Sequence, residues 1–197
     1  FPNAVKDGFI EKSTKIDDYF NILTVSRLDE TEKLKGVNTV IKSLAILKEN
    51  VRKRIKYNVI GKGNDILRLK SLTKEYGVED CVKFLGYVDD LEEYYASCDI
   101  FILTSKKEGF GIVYLEAMRH KKPVIASNFG GATDVVVNNQ TGFLIDYSDT
   151  ISLSEHINYF FYNESRKLEM GENGYDRYRQ MFTYNKFKHN LEKIILE

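Results

Sequence analysis

Residues 100–120 read IFILTSKKEGFGIVYLEAMRH, and this stretch contains the pattern that decides the fold. The apolar run at 100–104 predicts a buried strand, and the apolar residues within 111–120 have the spacing of a helix. Gly109 and Gly111 lie between the two. The stretch therefore predicts one strand–loop–helix unit.

The same alternation of short apolar runs and amphipathic stretches extends from about residue 20 to residue 165. Continuous apolar strands joined by helices predict a parallel sheet covered on both faces. Right-handed crossovers make it an α/β fold with a Rossmann-like, doubly wound parallel sheet. The predicted strands are 21–26, 55–60, 82–85, 100–104, 123–127 and 142–145, and the predicted helices are 36–49, 65–76, 91–97, 111–120 and 132–137, with further helices to the C-terminus.

Composition limits the classes of function. The chain has 197 residues, enough for one well-cored domain, and Lys+Arg and Asp+Glu both total 29. This balance argues against a nucleic-acid-binding protein, which usually carries a basic excess. Cys81 and Cys98 form no CxxC pair and have no histidine at metal-ligand spacing, so buried free thiols are expected.

Neither a membrane span nor an N-terminal signal peptide is expected. No apolar run has the length of a membrane span, and residues 1–13 (FPNAVKDGFIEKS) lack the pattern of a signal peptide. The chain does not begin with Met, which is consistent with a fragment of a longer protein.

Ligands bind such sheets outside the carboxyl ends of the strands, so the loops after the strands are the candidate site. Backbone N–H groups at Gly109 and Gly111 can approach an anion, which the helix dipole also favours. Glu108 and Glu116 could accept hydroxyl groups of a sugar or ribose. Alternatively, Glu108 is a solvated loop charge and Glu116 the edge of a polar helix face, and spacing leaves both interpretations open.

Arg27 and Lys35 border the loop after the first strand. Two cations at one strand–helix junction suit a diphosphate. The alternative is a solvated charge run, because residues 29–35 are highly charged, and for Lys35 alone this alternative is favoured.

Two glycine pairs are weaker signals. Gly61 and Gly63 lack both the third glycine of a dinucleotide fingerprint and the Walker lysine pattern, so neither NAD nor ATP phosphate binding is favoured. Gly130 and Gly131 could form a functional loop or a plain turn.

Other aromatic and titratable residues are interpreted as structural. His120, His156 and His189 lie on predicted helices and not at strand ends, which favours surface or capping positions over a catalytic base. His120, at a helix C-terminus, suits the dipole. The aromatic run YFFY at 159–162 predicts core packing.

Six segments in order resemble the C-terminal, donor-binding domain of family 4 glycosyltransferases with the GT-B fold (glycosyl transferases group 1). The most specific is LTSKKEGFGIVYLEAM, with two glutamates separated by seven residues around a Gly-aromatic-Gly turn. The others are VSRL…KG at 25–36, VIGKG at 59–63, FLGYVDD at 84–90, PVIAS…GG at 123–131 and TGFLID at 141–146. The resemblance covers nearly the whole chain.

The resemblance makes Arg27, Lys35 and Glu108 the candidate catalytic residues. Arg27 and Lys35 would hold the donor's diphosphate, and Glu108 would contact hydroxyls of the transferred sugar. Lys35 is farther from Arg27 than the family pattern usually has, so Lys33 is the alternative. Lys35 is preferred because it adjoins Gly36.

The resemblance also implies a set of donor-binding residues. Glu116 would contact the ribose, and the backbone near Val88 would contact the base. Asp134 stands where the family commonly has a glutamate, so its role stays open. The remaining donor-binding positions are Gly61 and the backbone groups of Phe110, Gly111 and Ile112, the last three on phosphate and sugar.

The activity implied is transfer of a hexosyl group from a nucleotide-diphosphate sugar to a glycan, lipid or protein acceptor, with retention of configuration. The family usually needs no bound metal, so no cofactor is expected, and a UDP-sugar is favoured over a GDP-sugar. A role in cell-surface glycan synthesis is expected, in a cytoplasmic protein whose full-length form can associate peripherally with the inner face of the membrane.

The resemblance divides the chain into three parts. Residues 1–19 resemble an interdomain hinge, 20–164 would bind the nucleotide sugar, and the helices of 165–197 would pack towards an N-terminal acceptor domain that this chain lacks. The isolated domain is therefore expected to be inactive alone.

Two other functions compete with this one. A GT-B-fold nucleotide-sugar epimerase would bind the same donor without an acceptor, and a non-catalytic module would only bind it. The Gly-aromatic-Gly turn with paired glutamates favours the transferase, and the joint presence of Arg27, Glu108 and Glu116 argues against a degenerate site.

Overall fold

The computed structural model describes residues 18–29, 35–106, 108–186 and 188. In this part of the chain six parallel strands form one sheet in the order β3-β2-β1-β4-β5-β6. The prediction of an α/β fold with a Rossmann-like, doubly wound parallel sheet is therefore confirmed. The strands are β1 (Phe20–Val25), β2 (Ile55–Ile60), β3 (Val82–Gly86), β4 (Ile100–Leu103), β5 (Val124–Ser127) and β6 (Gly142–Ile145).

The helices follow the predicted pattern with one break. Residues 36–49 were expected to form a single helix, but Leu47 and Lys48 have extended backbones that separate two helices. Leu47 is buried in the core at this break. The described helices are α1 (Val37–Ile46), α2 (Glu49–Arg52), α3 (Ile66–Glu75), α4 (Glu92–Ser97), α5 (Ile112–Arg119), α6 (Ala132–Val135), α7 (Thr150–Tyr162) and α8 (Glu164–Met181).

Both faces of the sheet are covered, which explains the continuous apolar strands. Ile22 and Ile102 pack in a core with α1, α3 and α7. Their neighbours Leu23 and Phe101 point to the opposite face and pack in a second core with α4 and α5. The alternation of side chains along each strand thus supplies both cores.

The expected free thiols are confirmed. Cys81 and Cys98 are buried and form no disulfide. Burial raises the pKa of the Cys81 thiol to about 11 and that of Cys98 to about 12, so both stay protonated near neutral pH.

The aromatic and histidine predictions are partly wrong. Phe160 is fully buried as expected, but Tyr162 is 59% exposed because it lies on the outer face of α7. His120 does follow the last residue of α5, as a capping position requires, but it is buried and not at the surface. His156 is half-buried and stacks on Phe143, with ring centroids 3.9 Å apart. His189 lies outside the described residues.

The C-terminal helix α8 packs on this domain along α5. A Cβ at Gly171 would overlap the Lys121 carbonyl at the end of α5, so the two helices approach closely there. The Lys167 ammonium bonds Asp99 Oδ1, just before β4, at 2.6 Å. Among the described helices, none is both long and apolar enough to cross a membrane. The proposed boundaries at residues 19 and 165 stay predictions.

Candidate functional site

The candidate site lies where the sheet changes direction. β1 and β4 are neighbours at its centre, while β2 pairs with β1 on one side and β5 with β4 on the other. The connections therefore leave these two strands towards opposite sides and open a crevice at their carboxyl ends. Arg27 follows β1 and Glu108 follows β4, so both lie at this edge.

Lys35 and Glu108 meet in this crevice. The Lys35 ammonium lies 3.0 Å from Glu108 Oε2, although the residues are 73 positions apart in the chain. Each side chain is only 17% exposed. The interpretation of either residue as a fully solvated charge is therefore wrong. Lys33, the alternative to Lys35, lies outside the described residues.

Gly36 holds Lys35 in place. Its φ of +81° lies in the left-handed region, and a Cβ there would overlap the Thr104 hydroxyl and carbonyl. Because Thr104 directly follows β4, this close approach sets the Lys35 loop against the end of that strand.

The N-terminus of α5 faces the same crevice. Gly111 caps the helix with φ 77° and ψ 59°, and the first turn contains no acidic residue that would offset the positive end of the dipole. The cleft has a volume of about 350 Å³. It is lined by Val25, Ser26, Arg27, Lys35, Leu103, Glu108, Gly109, Phe110, Gly111, Ile112 and Val113.

Two side chains of the predicted Phe110–Ile112 segment have different surroundings. The Phe110 ring packs edge-on against Phe182, with centroids 5.9 Å apart, whereas Ile112 is 43% exposed. Phe110 therefore anchors the turn, while Ile112 leaves an apolar surface at the mouth of the cleft.

Gly130 and Gly131 support the Glu108 loop. The Gly131 N–H donates to the Glu108 carbonyl at 3.3 Å, and a Cβ at Gly131 would overlap the Gly109 carbonyl. Gly130 has φ +62°, and a Cβ there would come within 2.8 Å of the Glu108 carbonyl. The pair thus forms a turn that supports the Glu108 loop, and a functional role for this turn stays a prediction.

Gly61 and Gly63 pack against the chain that leaves β1. A Cβ at Gly61 would overlap the Ser26 carbonyl, and one at Gly63 would overlap the Leu28 carbonyl. Val88 is half-buried beside the core on the α4–α5 face of the sheet. Donor contacts by Gly61 and Val88 stay predictions.

Glu116 is half-buried on α5, one turn beyond the cleft. Its Oε2 accepts a hydrogen bond of 2.7 Å from the phenol of Tyr95 on α4. Glu116 is therefore not merely the edge of a solvated helix face. Tyr95 is not predictable as a partner of Glu116 from the sequence, because its place in a short helix carries no signal beyond that of a core aromatic.

Two further points concern Asp134 and metals. Asp134 is exposed on α6, and its backbone carbonyl accepts a hydrogen bond from Arg177 at 2.7 Å. Within the described ranges, no group of three or more His, Cys, Asp or Glu side chains could hold a metal ion. The expectation that the reaction needs no metal stays a prediction.

Comparison with known proteins adds a family match. The sequence model of the family described as "Glycosyl transferases group 1" matches residues 5–177. The match includes both the cleft and its supporting turns.

Two curated relatives are similar over most of the chain. N-acetyl-alpha-D-glucosaminyl L-malate synthase of Bacillus anthracis is 30% identical over 162 residues, which cover 82% of this chain and 42% of the relative. A GDP-mannose-dependent alpha-(1-6)-phosphatidylinositol monomannoside mannosyltransferase of Mycobacterium tuberculosis is 28% identical over 88% of this chain and 46% of its own. The chain thus spans less than half the length of these relatives.

A solved structure has the same fold. The Anabaena protein Alr3699/HepE in complex with UDP superimposes with a TM-score of 0.83 at 26% identity, over 90% of this chain and 49% of that chain. The same protein was also solved with UDP-glucose, and that complex gives a TM-score of 0.82.

Proposed function

The chain belongs to the glycosyl transferases group 1 family, and we propose that it forms the donor-binding half of a retaining glycosyltransferase. The enzyme would transfer a hexosyl group from a nucleotide-diphosphate sugar to a glycan, lipid or protein. The observation that carries the proposal is the meeting of Lys35 and Glu108, 3.0 Å apart, in the cleft that Arg27 also lines.

Arg27, Lys35 and the N-terminus of α5 would bind the diphosphate. All three present positive charge or N–H groups to one cleft, which suits an anion. When the sugar leaves, negative charge develops on the diphosphate, and these groups would stabilise it without a metal ion. Loss of one such donor typically costs about 3 kcal/mol of transition-state stabilisation.

The two glutamates would bind the sugar end and the ribose end of the donor. Glu108 adjoins Lys35, so a diphosphate on Lys35 would place its attached sugar beside Glu108. Glu116, one turn into α5, would accept ribose hydroxyls, and the backbone near Val88 would contact the base. Gly61 would allow the donor's close approach to the neighbouring strand end.

We infer that the donor is a UDP-sugar in preference to a GDP-sugar. The UDP and UDP-glucose complexes of the Anabaena protein support uridine, whereas the GDP-mannose dependence of the mycobacterial relative supports guanosine.

The acceptor site would lie in an N-terminal domain, and this chain alone would be inactive. We place the full-length enzyme in the cytoplasm, at the inner face of the membrane, in cell-surface glycan synthesis.

Titration of this chain with UDP, GDP and ADP by calorimetry tests the donor site. UDP should bind weakly, and Arg27→Ala should reduce its affinity by about tenfold because a charged phosphate contact is lost. Arg54→Ala is the matched control, since Arg54 is exposed just before β2, at the opposite edge of the sheet. Lys35→Ala and Lys33→Ala, compared in the same assay, identify the lysine that contacts the diphosphate.

Two outcomes would contradict the proposal. Absence of binding by all three nucleotides at millimolar concentration removes the donor site. Equal losses in Arg27→Ala and Arg54→Ala remove Arg27 from it.

A further inference from the structure

Tyr95 lies behind the cleft and has no role in the proposal above. It is 1% exposed on α4, and its phenol donates a hydrogen bond of 2.7 Å to Glu116 Oε2 on α5. A buried phenol needs a hydrogen-bond partner, which in a purely structural role can be any backbone or hydroxyl acceptor. This bond instead ties a buried side chain to the residue proposed to bind ribose.

The Tyr95 ring is itself held in place. It stacks on the His120 ring, with centroids 5.8 Å apart and an interplanar angle of 12°. His120 Nε2 lies 2.8 Å from Glu92 Oε2, and Glu92 also pairs with Arg119. Because Glu92 and Tyr95 share α4 while the others lie on or next to α5, these contacts fix the two helices to each other.

The Tyr95 phenol is the hydrogen-bond donor to Glu116. Burial, together with the charge of Glu116, raises the pKa of Tyr95 well above its ordinary value. Tyr95 therefore keeps its proton near neutral pH and is the donor in the bond to Glu116 Oε2.

We propose that Tyr95 is a positioning residue that fixes the Glu116 carboxylate, so that Glu116 Oε1 accepts the ribose hydroxyls of the donor. The inference rests on the proposed function. A glutamate on a helix has several rotamers, and a ligand that must select one of them loses affinity. With Oε2 held by Tyr95, that entropy is already lost before the nucleotide binds.

Binding of UDP and of 2′,3′-dideoxy-UDP to this chain tests the proposal, because the second nucleotide lacks the ribose hydroxyls. Tyr95→Phe should weaken UDP binding by about fivefold and leave binding of the dideoxy analogue unchanged. Glu116→Ala should show the same selectivity. The double variant should bind UDP no more weakly than Glu116→Ala, since the phenol acts only through that carboxylate.

Tyr57→Phe is the matched control for removal of a buried phenol. Tyr57 is fully buried in the other core and donates to the Thr24 hydroxyl at 2.9 Å. Its variant should lose stability without any change in nucleotide binding. His120→Gln is a second variant that keeps the phenol but removes the stacked ring, and we expect a smaller loss that is again confined to UDP.

The outcomes separate this inference from the proposed function. If the unaltered chain binds none of UDP, GDP and ADP, the proposed function fails and the inference with it. If it binds UDP and dideoxy-UDP equally, the ribose role proposed for Glu116 fails and the inference with it, whereas the other parts of the proposed donor site stand. If Tyr95→Phe weakens binding of both nucleotides by the same factor, the inference alone is overturned. Unchanged UDP binding in Tyr95→Phe would likewise overturn it.

Discussion

At the scale of single residues, the site depends on places where the backbone leaves no room for a side chain. Gly36 brings Lys35 against the end of β4, and Gly131 brings its turn against the Glu108 loop. Neither glycine has a side chain that could contact the proposed donor phosphates. Each glycine contributes by allowing its loop to pack closely against another loop that borders the cleft.

Gly36→Ala should therefore impair both folding and binding. An alanine there would adopt a left-handed φ and would also overlap Thr104, so we expect a loss of about 2–3 kcal/mol in the free energy of unfolding. UDP affinity should fall too, because Lys35 would move. Urea unfolding and calorimetry measure the two effects.

Gly77→Ala is the control for this prediction. Gly77 also has a positive φ, +61°, but a Cβ there meets no atom within 4 Å. It should cost only the left-handed conformation, about 1 kcal/mol, with no effect on UDP binding. Equal costs at the two positions would show that Gly36 is required for its φ alone.

At the scale of elements, the contact between α5 and α8 joins the site to the C-terminal part of the chain. α5 presents its N-terminus to the cleft, and its other end lies against Gly171 of α8. Residues 165–181 thus pack on the part of the chain that carries the cleft. Because α8 packs on α5, a displacement of α8 would also displace α5 and the Glu116 side chain that α5 carries.

Gly171→Ala should destabilise the protein, although alanine favours a helix by about 1 kcal/mol over glycine. The overlap with the Lys121 carbonyl outweighs that gain, since overpacking against rigid backbone costs about 1–3 kcal/mol. We expect a net loss of roughly 1 kcal/mol in urea unfolding.

Gly174→Ala, one turn further along α8, is the control. Its Cβ would come close to the Met118 side chain, at 3.2 Å, which can move, and would lie at an ordinary contact distance of 3.9 Å from Thr141 Cβ. This variant should be neutral or stabilising. A Gly171→Ala variant as stable as Gly174→Ala would contradict the close contact between α5 and α8.

At the scale of the whole molecule, the formal charges of the basic and acidic side chains balance. The chain carries 29 Lys and Arg residues and 29 Asp and Glu residues, so repulsion from a net charge does not destabilise the folded state. The buried ion pair of Lys167 and Asp99 links α8 to the sheet at the edge opposite the cleft. Two of the described residues, His120 and His156, are histidines whose pKa is lowered, chiefly by burial.

These histidines predict a loss of stability in mild acid. A lowered pKa in the folded state means that the unfolded chain binds protons first as the pH falls through about 6.5. The contribution of the neutral histidines to stability should therefore be complete well above pH 6.5 and be lost as the pH falls through about 6.5. The urea midpoint should follow this decline, and the double variant His120→Gln, His156→Gln should flatten it. A midpoint that rises as the pH falls would contradict the assignment.

The sequence by itself determined the fold class, the positions of all six strands and the loops in which a site should lie. Apolar periodicity reports local burial, and parallel strands bring the loops after them to one edge. The roles expected of Arg27, Glu108 and Glu116 came from the family resemblance, and they stay predictions. The helix break after Ile46 and the distribution of buried side chains on α7 differ from the prediction, but neither difference alters the position of a strand.

Only the tertiary structure decided which of these residues meet. Lys35 reaches Glu108 across 73 positions because β1 and β4 are neighbours and Gly36 permits the close approach. The bond from Tyr95 to Glu116 and the burial of His120 depend on how α4 packs on α5. Periodicity assigns a side chain to a face, but its partner on that face is set by the packing of elements distant in sequence.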